Sequence, residues 1–289
     1  MSEIQHSPFS MSDQSEHTTS QSQTSKSQTE SRNLFYHDPG SRLRFWPIFA
    51  VVVLVNLIIV AFTLFVPYEE GAKWSSAWIL FLWWFSPIAF LVASLFFFRV
   101  FKLDLVRAII PTRFSLRVLA ACFLLFFGWI LFAQLVHGGL FLLFDLSKSY
   151  WSMFHHGDLS AARLIQWVLL KPVALALLFY GLMFQALRQN VGIKTALVVV
   201  TLMVFPYYNA VDTLIFVFNG LILCLIVLAT RALIYPILVQ VAYFALIFLT
   251  QIGRFMETIH PSLVIAVGAA MMAIGIALLL RESQSAAPE

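Results

Sequence analysis

The chain has 289 residues, of which 61% are hydrophobic and only 11% charged. Soluble domains run at about 45–50% apolar and about 25% charged, and a mean hydropathy of +0.87 widens the gap. A water-soluble globule cannot hide this much apolar surface, and the expected class is an all-α polytopic membrane bundle. The net charge of +4 does not indicate nucleic acid, because the cations sit beside apolar runs, where they orient a chain in a bilayer.

Residues 1–35 differ from the rest. From Ser10 to Ser31 they are mostly Ser, Gln, Thr, Glu and His, too polar to offset their ordering entropy, and read as a disordered tail. They lack the apolar core of a secretory signal. A transmembrane domain is expected over 36–281, followed by a short polar tail, 282–289.

Eight apolar spans follow in chain order, at about 45–66, 74–98, 116–144, 164–187, 191–209, 210–228, 233–249 and 262–280. Most reach the roughly 20 residues needed to cross about 30 Å of hydrocarbon. The runs are continuous instead of alternating, which argues against a transmembrane barrel. The fifth and sixth are separated only by Pro206–Asn209, a tight hairpin. With a cytoplasmic N-terminus, Lys73, Lys148, Arg163, Lys171 and Arg254 are the only cations outside the inner segments, leaving 13 of the 18 inside. Eight spans then place both termini in the cytoplasm. The basic and apolar connection 99–117 reads as an interfacial helix or an ordinary cationic loop. In the last span Ala269, Ala273 and Ala277 recur every four residues, as close helix packing within the monomer would need, or a dimer interface.

Signatures of soluble enzymes are missing: no Gly-rich phosphate loop, HExxH, GxSxG or CxxC. Cys122 and Cys224 both lie in apolar runs and read as small buried hydrophobes. Ionisable groups at depth are few. His137 reads as an interfacial histidine, or else a ligand or proton carrier. Lys171 reads as a cavity-lining cation or one that reaches back to the interface. Asn56 and Gln240 can bond to neighbouring helices. In the outer loops, Glu69 and Glu70 fall in a solvated turn, and His155, His156 and Asp158 form a weak metal pattern. No cofactor and no metal are expected.

Three phrases carry a family resemblance. Leu175-Ala176-Leu177-Leu178-Phe179-Tyr180-Gly181 is followed, 28 residues after the glycine, by Asn209 in Phe205-Pro206-Tyr207-Tyr208-Asn209. Gln240-Val241-Ala242-Tyr243-Phe244 completes the set, preceded by Phe218-Asn219-Gly220 and by the turn from Ala229 to Ile237. The spacing resembles the CPBP family of CAAX-processing and bacteriocin-processing membrane proteins, whose pattern is EExxxR, FxxxH and HxxxN. The resemblance covers 172–249 and implies a multi-helix intramembrane endopeptidase that activates water with a glutamate. Here Leu175 and Ala176 stand at the glutamate positions and Tyr180 at the arginine. Phe205 is kept, Asn209 and Gln240 replace the histidines, and Phe244 replaces the asparagine. Leu, Ala, Tyr, Asn and Gln cannot act as a base near neutral pH.

The expectation is therefore a degenerate member without catalytic residues, in a bacterial inner membrane. It would bind or scaffold membrane-embedded or lipidated peptides or proteins. Tyr180, Asn209 and Gln240 could form a neutral hydrogen-bond network in place of the charged site. The alternatives are an active endopeptidase using non-standard residues, or a small transporter.

Overall fold

The computed structural model describes residues 43–65, 76–111, 114–144, 161–203, 210–250 and 260–285. The polar tail 1–35, the Pro206–Asn209 hairpin and the outer-loop acids and histidines lie outside these residues, except His260, which is described. Within them the chain is all-helical, with no strand.

The elements are α1 (Phe45–Phe65), α2 (Ser76–Val100), α3 (Leu105–Ile109), α4 (Leu116–Phe144), α5 (161–191), α6 (Ile193–Met203), α7 (Ala210–Thr230), α8 (Ile234–Thr250) and α9 (Pro261–Ser285). Three contain stretches long and apolar enough to cross a membrane: Leu116–Ala133 in α4, Ile165–Val191 in α5 and Ser262–Glu282 in α9. These mark a membrane protein. The apolar parts of α1, α2, α6, α7 and α8 are shorter within the described residues. α9 runs past the expected end of its span and takes Glu282 and Ser285 into the helix.

Helix ends follow from local chemistry. Pro261 opens α9, where its missing N–H costs nothing. Ser115 Oγ accepts from Val118 N–H at 3.3 Å at the start of α4. α2 closes with a paired turn in which Leu103 N–H donates to Phe98 O (2.8 Å) and Lys102 N–H to Arg99 O (3.2 Å). Lys102 takes φ +51° at the position usually held by glycine, and the flanking Phe98 and Leu103 are both buried. Gly192, at φ +85°, alone joins α5 to α6, a conformation that would strain a residue with a Cβ.

α5 is the axis of the bundle. It packs against α1, α2, α6, α7 and α8, and every residue from Ala174 to Leu187 is buried. A helix apolar on all sides has to be enclosed on all sides or face lipid; here it is enclosed. Its backbone widens into π-helical turns at Ile165–Leu170 and Ala176–Met183.

α9 lies outside this core and packs chiefly along α4. A Cβ on Gly275 would come within 2.6 Å of Leu125 N, and one on Gly268 within 2.9 Å of Gly128 O. The close face of α9 is thus made by its glycines. Ala269, Ala273 and Ala277, expected to pack within the monomer, are exposed on the other side. Glycine allows the backbones to touch where alanine would hold them apart, so the glycine face wins the contact.

Candidate functional site

Of the motif positions, Leu175, Gln240 and Phe244 lie in stretches of α5 and α8 that pack on each other. Leu175, Ala176 and Tyr180 are on α5, Gln240 and Phe244 on α8, and all five are buried. Phe205 and Asn209 lie outside the described residues. α5 meets α8 and the turn that precedes it near both ends of this seam. The Trp167 ring stands 6.0 Å from Phe244, and a Cβ on Gly181 would lie 2.9 Å from Leu233 Cδ1. Between these contacts the Lys171–Leu175 segment packs on α8. Gln240 precedes Phe244 by four residues and so shares its helix face. Leu175, Gln240 and Phe244 therefore belong to one interface.

Tyr180 lies in the second π-helical stretch of α5, which also packs on α7. Gln240 Nε2 has no hydrogen-bond partner among the described residues, so Gln240 does not donate to Tyr180. Of the expected three-helix network, that donor link is not formed. The preceding residue of α5, Phe179, makes an edge-to-face contact with Phe90 of α2, with centroids 5.5 Å apart.

Toward residue 161 the seam changes character. Lys171 Nζ sits 3.7 Å from the centre of the Trp167 ring, a cation held over a π-face. Trp167 leads to Phe244, Phe244 to Tyr243 at 5.2 Å, and Tyr243 to Phe126 of α4 at 5.6 Å. Gln166 is buried beside this chain of rings. The lysine is at the junction between a π-helical and an α-helical stretch. Both side chains are half-buried, and the ammonium lies over a ring one turn nearer the start of α5, which fits the reading of a lysine that reaches back along the helix.

The sequence did not single out a second buried polar pair. Trp129 Nε1–H of α4 donates to Asn219 Oδ1 of α7, and both residues are buried. The signal was present: a lone amide in an apolar span must find a partner or remain a cost. Cys122 and Cys224 are both buried and free. Among the described residues no three His, Cys, Asp or Glu side chains gather as a metal would need.

Chemically, this region offers apolar surface at Leu175 and Ala176, a buried amide at Gln240 whose Nε2 has no partner among the described residues, and a cation at Lys171. Leucine and alanine supply no acid, base or ligand. Comparison with known proteins adds nothing to this: no family model, no curated protein and no solved structure matches the chain.

Proposed function

We propose that the chain is an eight-span protein of a bacterial inner membrane, with both termini in the cytoplasm, that retains membrane-embedded or lipidated partners without cleaving them. The reading follows the CPBP-like spacing of its motifs together with the replacement of every acid and base in them. One observation carries it. Leu175 and Ala176, at the positions where a related protease would hold its glutamates, are enclosed in a helix buried on every side. Water activation needs a base and access for water, and this part of α5 supplies neither.

The test uses the purified full chain in bilayers with a photoactivatable farnesylated peptide. Capture of the intact peptide is the expected result. Cleavage that is lost in Gln240→Ala, or absence of any capture, overturns the proposal.

A second reading, a small transporter, has one observation in its favour. Lys171 interrupts an apolar helix between two π-helical stretches, and intramembrane charge beside irregular helix is a feature of substrate pathways. Flux of a small organic acid into proteoliposomes, abolished by Lys171→Met, would select this reading over the first.

A further inference from the structure

The connection between α2 and α4 is not a free loop. The closing turn of α2 fixes Lys102 and Leu103, Asp104 Oδ1 caps α3 by accepting from Arg107 N–H at 3.0 Å, and Ala108 is fully buried. The far side of this elbow is tied to the turn between α7 and α8. Leu233 N–H donates to Ala108 O at 2.9 Å, and Ser115 N–H donates to Tyr235 Oη at 3.1 Å. The Phe114 and Tyr235 rings stack, 5.5 Å apart and within 2° of parallel.

What this platform presents is unusual for a rigid surface. Val106, Ile110 and Phe114 are exposed, at 65%, 56% and 49%. Lys102, Arg107 and Arg231 are exposed among them. Residues 99–117 carry five cations and one acid, a net +4 that equals the charge of the whole chain. The acid, Asp104, pairs with Arg107 at 3.3 Å, an exposed pair of little strength that leaves most of the excess charge uncompensated.

We infer that the elbow, at residues 101–111 and 114–117, with the turn at 230–235, is a docking surface for the anionic phospholipids of the leaflet it faces. The elbow joins helices α2 and α4, and α7 and α8 meet at the turn bonded to it. If those helices span the bilayer, the elbow lies at headgroup level. There Val106 and Ile110, one helical turn apart, enter the acyl boundary while the cations meet lipid phosphates. The hydrogen bonds to α8 and its turn fix the surface before lipid arrives, so little ordering is lost on binding. A polyanion such as nucleic acid would use the cations but would leave the apolar side chains in water. The inference rests on the membrane-spanning part of the proposed reading, not on the family resemblance and not on which leaflet is cytoplasmic.

The test is lipid retention by the detergent-purified full chain, read by native mass spectrometry and by thermal unfolding with added phosphatidylglycerol or phosphatidylcholine. Phosphatidylglycerol should remain bound and raise the unfolding midpoint; phosphatidylcholine should do neither. In the triple variant Lys102→Gln, Arg107→Gln, Arg231→Gln the apparent affinity for phosphatidylglycerol should fall about a hundredfold, by loss of near-surface cations. Equal response to both lipids, or an unchanged response in the triple variant, overturns the inference. If the triple variant does not fold, a fluorophore on Ile110→Cys decides. Quenching by bilayer-restricted quenchers supports docking, and quenching by aqueous quenchers alone overturns it. Reaction of the same cysteine with an impermeant thiol reagent, applied to each side of sealed vesicles, reports the leaflet. A wrong leaflet would refute the assigned orientation while leaving the lipid response intact.

Discussion

Gly128 of α4 and Gly268 of α9 stand so close that a Cβ on Gly128 would lie 2.7 Å from the carbonyl oxygen of Gly268. Seven residues along each helix the pattern repeats, with Gly275 against Ala121 O at 2.8 Å. The heptad interval keeps both small positions on one seam. Helices in lipid gain little from burying apolar side chains against each other, so backbone approach carries the contact. Gly128→Leu should cost at least 1–3 kcal/mol, roughly the penalty of overpacking a tight core. Ala269→Leu, on the exposed face of α9, should stay within about 0.5 kcal/mol. Thermal unfolding of the two variants in one detergent checks both.

Lys102 holds φ +51° at the end of α2. A left-handed residue with a Cβ costs roughly 1–2 kcal/mol, and glycine avoids it. Lys102→Gly should therefore raise stability by up to about 1 kcal/mol, while Lys102→Val should lower it. Both effects should appear in the unfolding midpoint measured without added anionic lipid.

Asn219→Ala removes the acceptor of the buried Trp129 indole. Interhelical hydrogen bonds in membrane proteins couple by about 0.6 kcal/mol on average and up to about 1.7. A double-mutant cycle with Trp129→Phe should return a coupling in that range. A value near zero would mean that the pair contributes packing alone.

Gln240→Leu should be neutral or stabilising by about 1 kcal/mol, because Nε2 is buried without a partner among the described residues and its amide contributes mainly a desolvation cost. The reverse change, Leu175→Glu, should destabilise strongly, since it puts an acid into an apolar, fully enclosed helix. If Leu175→Glu is tolerated, the seam holds water, and the non-catalytic reading loses its main support.

The location of the apolar helices was legible in the sequence: the eight expected runs overlap α1, α2 and α4 to α9, and three of these helices carry stretches long enough to cross a membrane. Their packing was not. In a soluble helix the buried face is apolar and the other polar, so period reveals contact. In a lipid-facing helix both faces are apolar and the period carries no such information. That is why the alanines of α9 looked like the packing face and its glycines did not. The π-helical stretches of α5 were equally hidden, since its continuous apolar run carries no mark of a widened turn. For the candidate site, Leu175, Gln240 and Phe244 lie on helices that pack together. Residue spacing could not show the π-helical turns that carry Ala176 and Tyr180, because it does not encode backbone geometry.

The enclosure of α5 has a consequence for how the protein is assembled. Its neighbours α1 and α2 are synthesised before it, while α7 and α8 come after it. When α5 first enters the bilayer, half of its circumference must face lipid, or a chaperone, until α8 arrives. Gly192 permits α6 to follow at once as a hairpin, but that covers only one side. A chain truncated after α6 would keep its most enclosed helix partly uncovered, so the unit of biogenesis extends at least from α1 to α8, and quality control would see an incomplete chain as an exposed α5.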